Sequence, residues 1–193
     1  VIHEQNSFVG KANKMLDTKV DLVIGSYIED KDQFKNPNTF ILGNPQSGKA
    51  FNYKKDDNYL SELGLDKNKK TVVIFMGSLG SETITKVMID FFKLLDGTYQ
   101  VIYATGSAYY EDVVSKTKKK DYLVIKERID GIKAMKASDL LVSRAGATTL
   151  CEITALGMPA ILIPSPYVPN NHQYFNALAL VKNDAALMIE EKD

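Results

Sequence analysis

The stretch DLLVSRAGATTLCEITALGMPAILIP, Asp139 to Pro164, decides the fold. Its ends, DLLV and PAILIP, are near-continuous apolar runs of the kind found in strands buried on both faces. Between them Gly146 marks the turn out of the first strand, and ATTLCEITALG reads as a helix starting near Ala147. The spacing puts Glu152 in the second helical turn, close to the carboxyl ends of the strands. Open α/β sheets bind ligands there, where helix N-termini present unpaired N–H groups. A phosphate can dock on such amides, and a carboxylate a turn or two along can accept hydrogen bonds from ribose hydroxyls. A solvated Glu on an amphipathic helix is the plainer reading of the same residue.

The alternation continues on both sides of this unit. Upstream come a helix around DDNYLSELG, strand TVVIFMG, a helix from about Glu82 to Leu95, strand YQVIYATG, helix AYYEDVVSKTK, strand YLVI and helix DGIKAMKAS. Downstream come helix NHQYFNALALVKN and strand AALMIE. Apolar strands alternating with amphipathic helices predict an α/β fold, a Rossmann-like parallel sheet covered on both faces. Before it, SFVGKANKMLD reads as a helix and KVDLVIGS as a strand, and the Pro- and Asn-rich run NPNTFILGNP around strand TFIL reads as an interdomain crossing. The expected division is the tail of one Rossmann-like unit over residues 1–38 and a second domain over residues 39–193. The opening VIHEQN has no initiator Met and reads as the end of a strand, so the chain is taken as a fragment.

Three polar segments compete for a ligand. GNPQSGKA, Gly43 to Ala50, matches the P-loop spacing for seven positions, but Ala50 stands where Ser or Thr would ligate Mg²⁺, and Pro45 removes an amide. FMGSLGSET, Phe75 to Thr83, places Gly77, Ser78 and Gly80 between a strand and a helix, although it is not G-x-G-x-x-G. SPYVPNNHQYFNA sets Asn170, Asn171, His172 and Gln173 at a helix start, with Asn171 as the candidate N-cap. Side-chain amides suit sugar hydroxyls, so this segment fits a neutral polyol.

Composition narrows the classes further. Lys and Arg total 24, Asp and Glu total 24, and the formal net charge is zero, which argues against nucleic acid as a partner. The single dense basic run, KTKKK at Lys116 to Lys120, reads as a solvated helix end. One cysteine, Cys151, forms no internal disulfide and points to a reducing compartment; with His3 and His172 it makes no soft-metal site. Asp30-Lys31-Asp32 spells D-x-D but lies in the charged run EDKD, which reads as a loop. No signal peptide and no membrane-spanning apolar run is evident.

HEQN, FMGSLGSET, SRAGATTLCEITALG and NNHQYFNA occur in this order in one Rossmann-like frame, and the set resembles the MurG family of bacterial N-acetylglucosaminyltransferases along essentially the whole chain. The resemblance implies a GT-B arrangement, with the end of an acceptor-binding N-terminal domain followed by most of a donor-binding C-terminal domain. It implies inverting transfer of N-acetylglucosamine from UDP-N-acetylglucosamine to lipid I, giving lipid II for peptidoglycan, with no cofactor and no metal. It also implies a peripheral position on the cytoplasmic face of the bacterial membrane. Matched by position, Glu152 binds ribose, and Ala147, Thr148, Thr149, Leu150 and Cys151 receive the diphosphate through backbone amides. Ser78 contacts the phosphate side, Ile129 meets uracil through its backbone, and Gln173 reads hexose hydroxyls with His172 beside it. Asn6 faces the donor sugar, while His3, Glu4 and Arg144 support activity. Gln46 and Ser47 stand where the family carries an Arg, the phosphate loop begins Met76-Gly77-Ser78 in place of Gly-Gly-Ser, and the Gly-rich acceptor loop with its His is not in this sequence. Another GT-B glycosyltransferase, or a UDP-sugar-binding module inactive as a fragment, remain the alternatives.

Overall fold

The computed structural model of the chain describes residues 1–78 and 80–193. Leu79, within the FMGSLGSET segment, lies outside the described residues. Two parallel sheets organise the rest. The smaller has three strands, β1 (Ile2–Glu4), β2 (Val23–Gly25) and β3 (Thr39–Ile41), in that order. TFIL is thus the third strand of the small sheet, which reaches Ile41 before the chain crosses to the larger unit. Helix α1 (Lys11–Leu16) connects β1 to β2, and a 3-10 turn over Ile28–Gln33 precedes β3.

After the crossing, α2 (Gln46–Asn52) and α3 (Tyr59–Glu62) lead into β4 (Thr71–Phe75), α4 (Glu82–Leu94), β5 (Gln100–Ala104), α5 (Tyr110–Lys116) and β6 (Leu123–Lys126). Then come α6 (Gly131–Lys136), β7 (Leu140–Ser143), α7 (Ala147–Leu156), β8 (Ala160–Leu162), α8 (His172–Val181) and β9 (Leu187–Met188). The six strands lie in the order β6-β5-β4-β7-β8-β9, every neighbouring pair parallel. The continuous apolar runs are explained by burial from both sides: all of β5 is inaccessible. One face packs Ala50, Ile132, Met135, Leu150, Ile153 and Leu180 from α2, α6, α7 and α8. The other packs Ile84, Phe92 and Val113 from α4 and α5. The chain leaves β4 toward β5 and β6, then returns on the opposite side with β7. That reversal opens a crevice at the carboxyl ends of β4 and β7, the position where such sheets hold ligands.

Two expectations are corrected. Most of GNPQSGKA is helical: α2 begins at Gln46, so Lys49 lies within a helix and Ala50 is buried in the core against α7, which leaves no phosphate-cradling loop there. EDKD is a 3-10 turn, and Asp30 is fully buried. Its Oδ2 accepts the amides of Ser26 (2.9 Å) and Tyr27 (3.0 Å), while Oδ1 has no partner among the described residues.

Burial, with Glu4 and Glu29 facing it, pushes the Asp30 carboxyl up to about 6, against the opposing pull of the Tyr27 and Ser26 amides. A folded-state pKa above the unfolded value means stability that is present below the unfolded pKa and lost as pH rises through about 6. Asp30→Asn keeps an oxygen for both amides and does not ionise. Between pH 4 and 8 the parent chain should lose about 1–3 kcal/mol relative to this variant, read by urea denaturation at both pH values. Parallel pH profiles for the two proteins would show that the fold does not raise the pKa of Asp30 above its unfolded value.

Candidate functional site

β1 delivers HEQN to the edge of the crevice. Glu4 is buried, which works to raise its pKa, yet its oxygens accept from the amides of Asn6 and Gly10 and the side chains of Asn13 and Asn6, and the net shift is downward. Oε1 takes Gln5 N (2.9 Å), Asn6 N (3.0 Å) and Asn6 Nδ2 (3.2 Å); Oε2 takes Gly10 N (2.9 Å) and Asn13 Nδ2 (2.9 Å). A carboxylate held in this way shapes the loop and is poorly placed to trade protons. His3 lies with Nε2 3.2 Å from the Gly43 carbonyl and 3.3 Å from Ser26 Oγ.

Asn6 is engaged at both ends of its amide, donating to Glu4 and accepting from Asn176 Nδ2 at 3.0 Å. Asn176, on α8, is fully buried. Its Oδ1 accepts from Ser7 N (2.9 Å) and Ser7 Oγ (3.2 Å), and its Nδ2 also donates to the Ala145 carbonyl (3.3 Å). One side chain therefore ties the HEQN loop, α8 and the turn before α7 together. Sequence reading passed over it, although a lone Asn amid the apolar residues of YFNALALV carries the signal of a buried polar pin.

At the start of α7, Gly146 is extended (φ −71°, ψ 143°) and provides no side-chain cap. The first intrahelical bond is Leu150 N to Gly146 O at 3.0 Å, so the amides of Ala147, Thr148 and Thr149 have no acceptor within the helix. Of the five expected phosphate donors, Leu150 spends its amide on the helix and its side chain is fully buried, and Cys151 follows it inside the helix. The Cys151 thiol donates to the Thr148 carbonyl (3.0 Å), and burial pushes its pKa up. Glu152 is half-buried, and burial raises its pKa while Lys49 acts in the other direction and Asp130 adds to the rise. Its carboxylate accepts no hydrogen bond from the described residues.

Beside this helix end a cavity of about 470 Å³ is lined by Gly77, Gly80, Tyr109, Arg144, Gly146, Thr149 and Gln173, among others. Arg144 does not reach into it as a free cation. It lies 2.5 Å from Glu191 and donates to Ser81 Oγ (2.8 Å) and the carbonyls of Ile163 (3.1 Å) and Pro164 (3.3 Å). It braces the β7, β8 and α4 ends of the site. Gln173 Oε1 accepts from Ser165 N (2.9 Å), leaving its NH₂ group to the cavity. Ser78 is exposed, and its carbonyl accepts from Ser107 N at 3.4 Å. Ile129 is half-buried in the turn from β6 to α6, next to Asp130, the helix N-cap.

His172 parts from Gln173. It lines a separate cavity of about 300 Å³ with Asn6 and Phe8, and its Nδ1 sits 2.9 Å from the Pro169 carbonyl. Asn171 occupies the N-cap position in the left-handed region (φ 50°), but its side chain makes no capping bond.

The sequence model of the glycosyltransferase family 28 C-terminal domain matches residues 71–193, which contain the six-stranded sheet and the cavity. The chain belongs to this family. Across its whole length it is 42% identical to the Bacillus subtilis (strain 168) "UDP-N-acetylglucosamine--N-acetylmuramyl-(pentapeptide) pyrophosphoryl-undecaprenol N-acetylglucosamine transferase". It is 41% identical to the protein of the same description from Bacillus pumilus (strain SAFR-032). The chain spans about half the length of these curated relatives, 54% in each case. Among solved structures, the crystal structure of Acinetobacter baumannii MurG superimposes with a TM-score of 0.73 over 99% of this chain and 53% of that one, at 24% identity. That match supports the fold, which is of the GT-B type. In this family 28 domain, the free amides of α7 and the polar cavity beside them can receive an anion joined to a neutral polar group.

Proposed function

We propose that the chain carries the donor site of an inverting glycosyltransferase that moves N-acetylglucosamine from UDP-N-acetylglucosamine to lipid I, yielding lipid II for peptidoglycan. On this reading the unit of the three-stranded sheet, which runs to Ile41 rather than stopping at residue 38, ends an acceptor-binding domain, and the unit of the six-stranded sheet forms most of the donor domain. The enzyme works peripherally on the cytoplasmic face of the membrane, where the undecaprenyl acceptor resides. Among the described residues no helix is long and apolar enough to cross a membrane.

The observation that carries the reading is the uncapped start of α7 at Ala147, Thr148 and Thr149 beside the Gln173 cavity, with Glu152 half-buried one turn further on. The three amides hold the diphosphate, Glu152 accepts the ribose hydroxyls, Ile129 meets uracil through its backbone, and Gln173 offers its NH₂ group to the hexose. As the acceptor hydroxyl attacks the anomeric carbon and UDP departs, the growing charge on the diphosphate is met by these amides, the helix dipole and the Ser78 hydroxyl. His3, Glu4, Asn6 and Arg144 keep the walls of the site in place.

A hydrogen bond to a charged group contributes about 1.5–3 kcal/mol. Glu152→Ala should therefore weaken binding of UDP-N-acetylglucosamine by about 10-fold or more. NMR titration of the chain with UDP-N-acetylglucosamine, UDP-glucose and ATP tests this. Saturable shifts with the first, weaker with the second and lost in the variant, are expected. Equal binding by the variant would remove Glu152 from the site, and a preference for ATP would overturn the reading.

A further inference from the structure

The charged side chains that line the 470 Å³ cavity are already matched: Arg144 lies 2.5 Å from Glu191, and Glu82 lies 2.7 Å from Lys86. A cavity neutralised in this way suits an uncharged polar group better than a phosphate. Strand order fixes its layout. Tyr109 enters from the β5 side and Gln173 from the β8 side, with the free amides of α7 between them.

Tyr109 precedes α5, and its ring packs inward on the apolar group around Tyr103 and Val113. It also lies against Gly80, where an added Cβ would come within 2.8 Å of the ring carbon Cδ2. The absence of a side chain at Gly80 lets the ring into the wall of the cavity. The phenolic hydroxyl has no hydrogen-bond partner among the described residues, and a phenol can both donate and accept.

We propose that Tyr109 is a sugar-contacting residue: its hydroxyl hydrogen-bonds the hexose of a nucleoside-diphosphate sugar, and its ring forms the apolar wall against the hexose C–H face. This rests on the donor-site reading above and adds to it a residue on the far side of the cavity from Gln173. A hexose presents both polar edges and apolar faces, which is the pair of surfaces a tyrosine offers.

Calorimetric titration of the chain and of Tyr109→Phe with UDP and with UDP-N-acetylglucosamine tests the assignment. Tyr109→Phe should bind the sugar nucleotide about 5-fold more weakly, the worth of one neutral hydrogen bond, and should bind UDP as the parent does. Tyr109→Ala should lose on the order of 10-fold on the sugar nucleotide, again with UDP unchanged, which also shows that the fold is retained. Equal affinities for the parent and Tyr109→Phe, or an equal loss for both ligands, would overturn the assignment alone. A parent chain that binds neither ligand would overturn the donor-site reading and this assignment with it.

Discussion

Replacing Asn176 with alanine is expected to destabilise the chain by about 3 kcal/mol or more, because a buried donor or acceptor left without a partner costs about 1–3 kcal/mol. The truncation strands the Ser7 amide, the Asn6 Oδ1 and the Ala145 carbonyl together, all of which depend on this side chain. For a chain of this size the melting temperature should fall by roughly 6–12 °C. The effect reaches beyond stability, since the same side chain joins the HEQN loop to the turn before α7. Resonances of Asn6 and Ser7 should broaden or move together with those of Gly146 and Ala147. A melting point within a degree of the parent would mean that water replaces the side chain freely.

Gly80→Ala is expected to cost about 2–4 kcal/mol, above the ordinary penalty for a non-glycine residue at positive φ, which is about 1–2 kcal/mol. Gly80 has φ +79°, and its missing Cβ would lie 2.2 Å from the Thr105 carbonyl oxygen, a backbone atom that cannot rotate away. Gly77 provides the control. Its φ is +87°, but a Cβ there meets nothing within 4 Å among the described residues, so Gly77→Ala should show the conformational cost alone. Urea denaturation of the two variants separates steric exclusion from backbone preference. Equal losses would show that the Thr105 segment yields.

The sheet was legible because strands buried on both faces leave an unbroken apolar record, as in TVVIF and QVIYA. The start of α7 was legible because Gly146 follows a strand and precedes residues that continue as a helix. Elements held by distant partners were not. GNPQSGKA is full of helix breakers, and α2 exists because Ala50 buries itself among residues of α7 that come a hundred positions later. EDKD looks solvated, since nothing in four polar residues shows that the chain will close over Asp30. His172 and Gln173 are adjacent in sequence, yet neighbours on a helix point about 100° apart, so the two serve different cavities. Nothing in the sequence around Arg144 shows its partner Glu191, almost fifty residues away. For the same reason the number of amides offered by α7 is smaller than the five residues matched by position, since helical bonding begins at Leu150.

Gly146 leaves α7 unfinished. A serine or aspartate at that position would close the helix with its own oxygen and gain a few tenths of a kcal/mol over glycine, but it would compete for the very amides a bound anion needs. On the donor-site reading proposed above, the ligand takes the place of the missing helix cap, and the protein keeps one of its own structural elements incomplete between visits. Occupancy is then a local folding event as well as recognition: the first turn of α7 should fray more readily in the empty protein and settle when the anion arrives, so hydrogen exchange at Ala147, Thr148 and Thr149 records the presence of ligand directly.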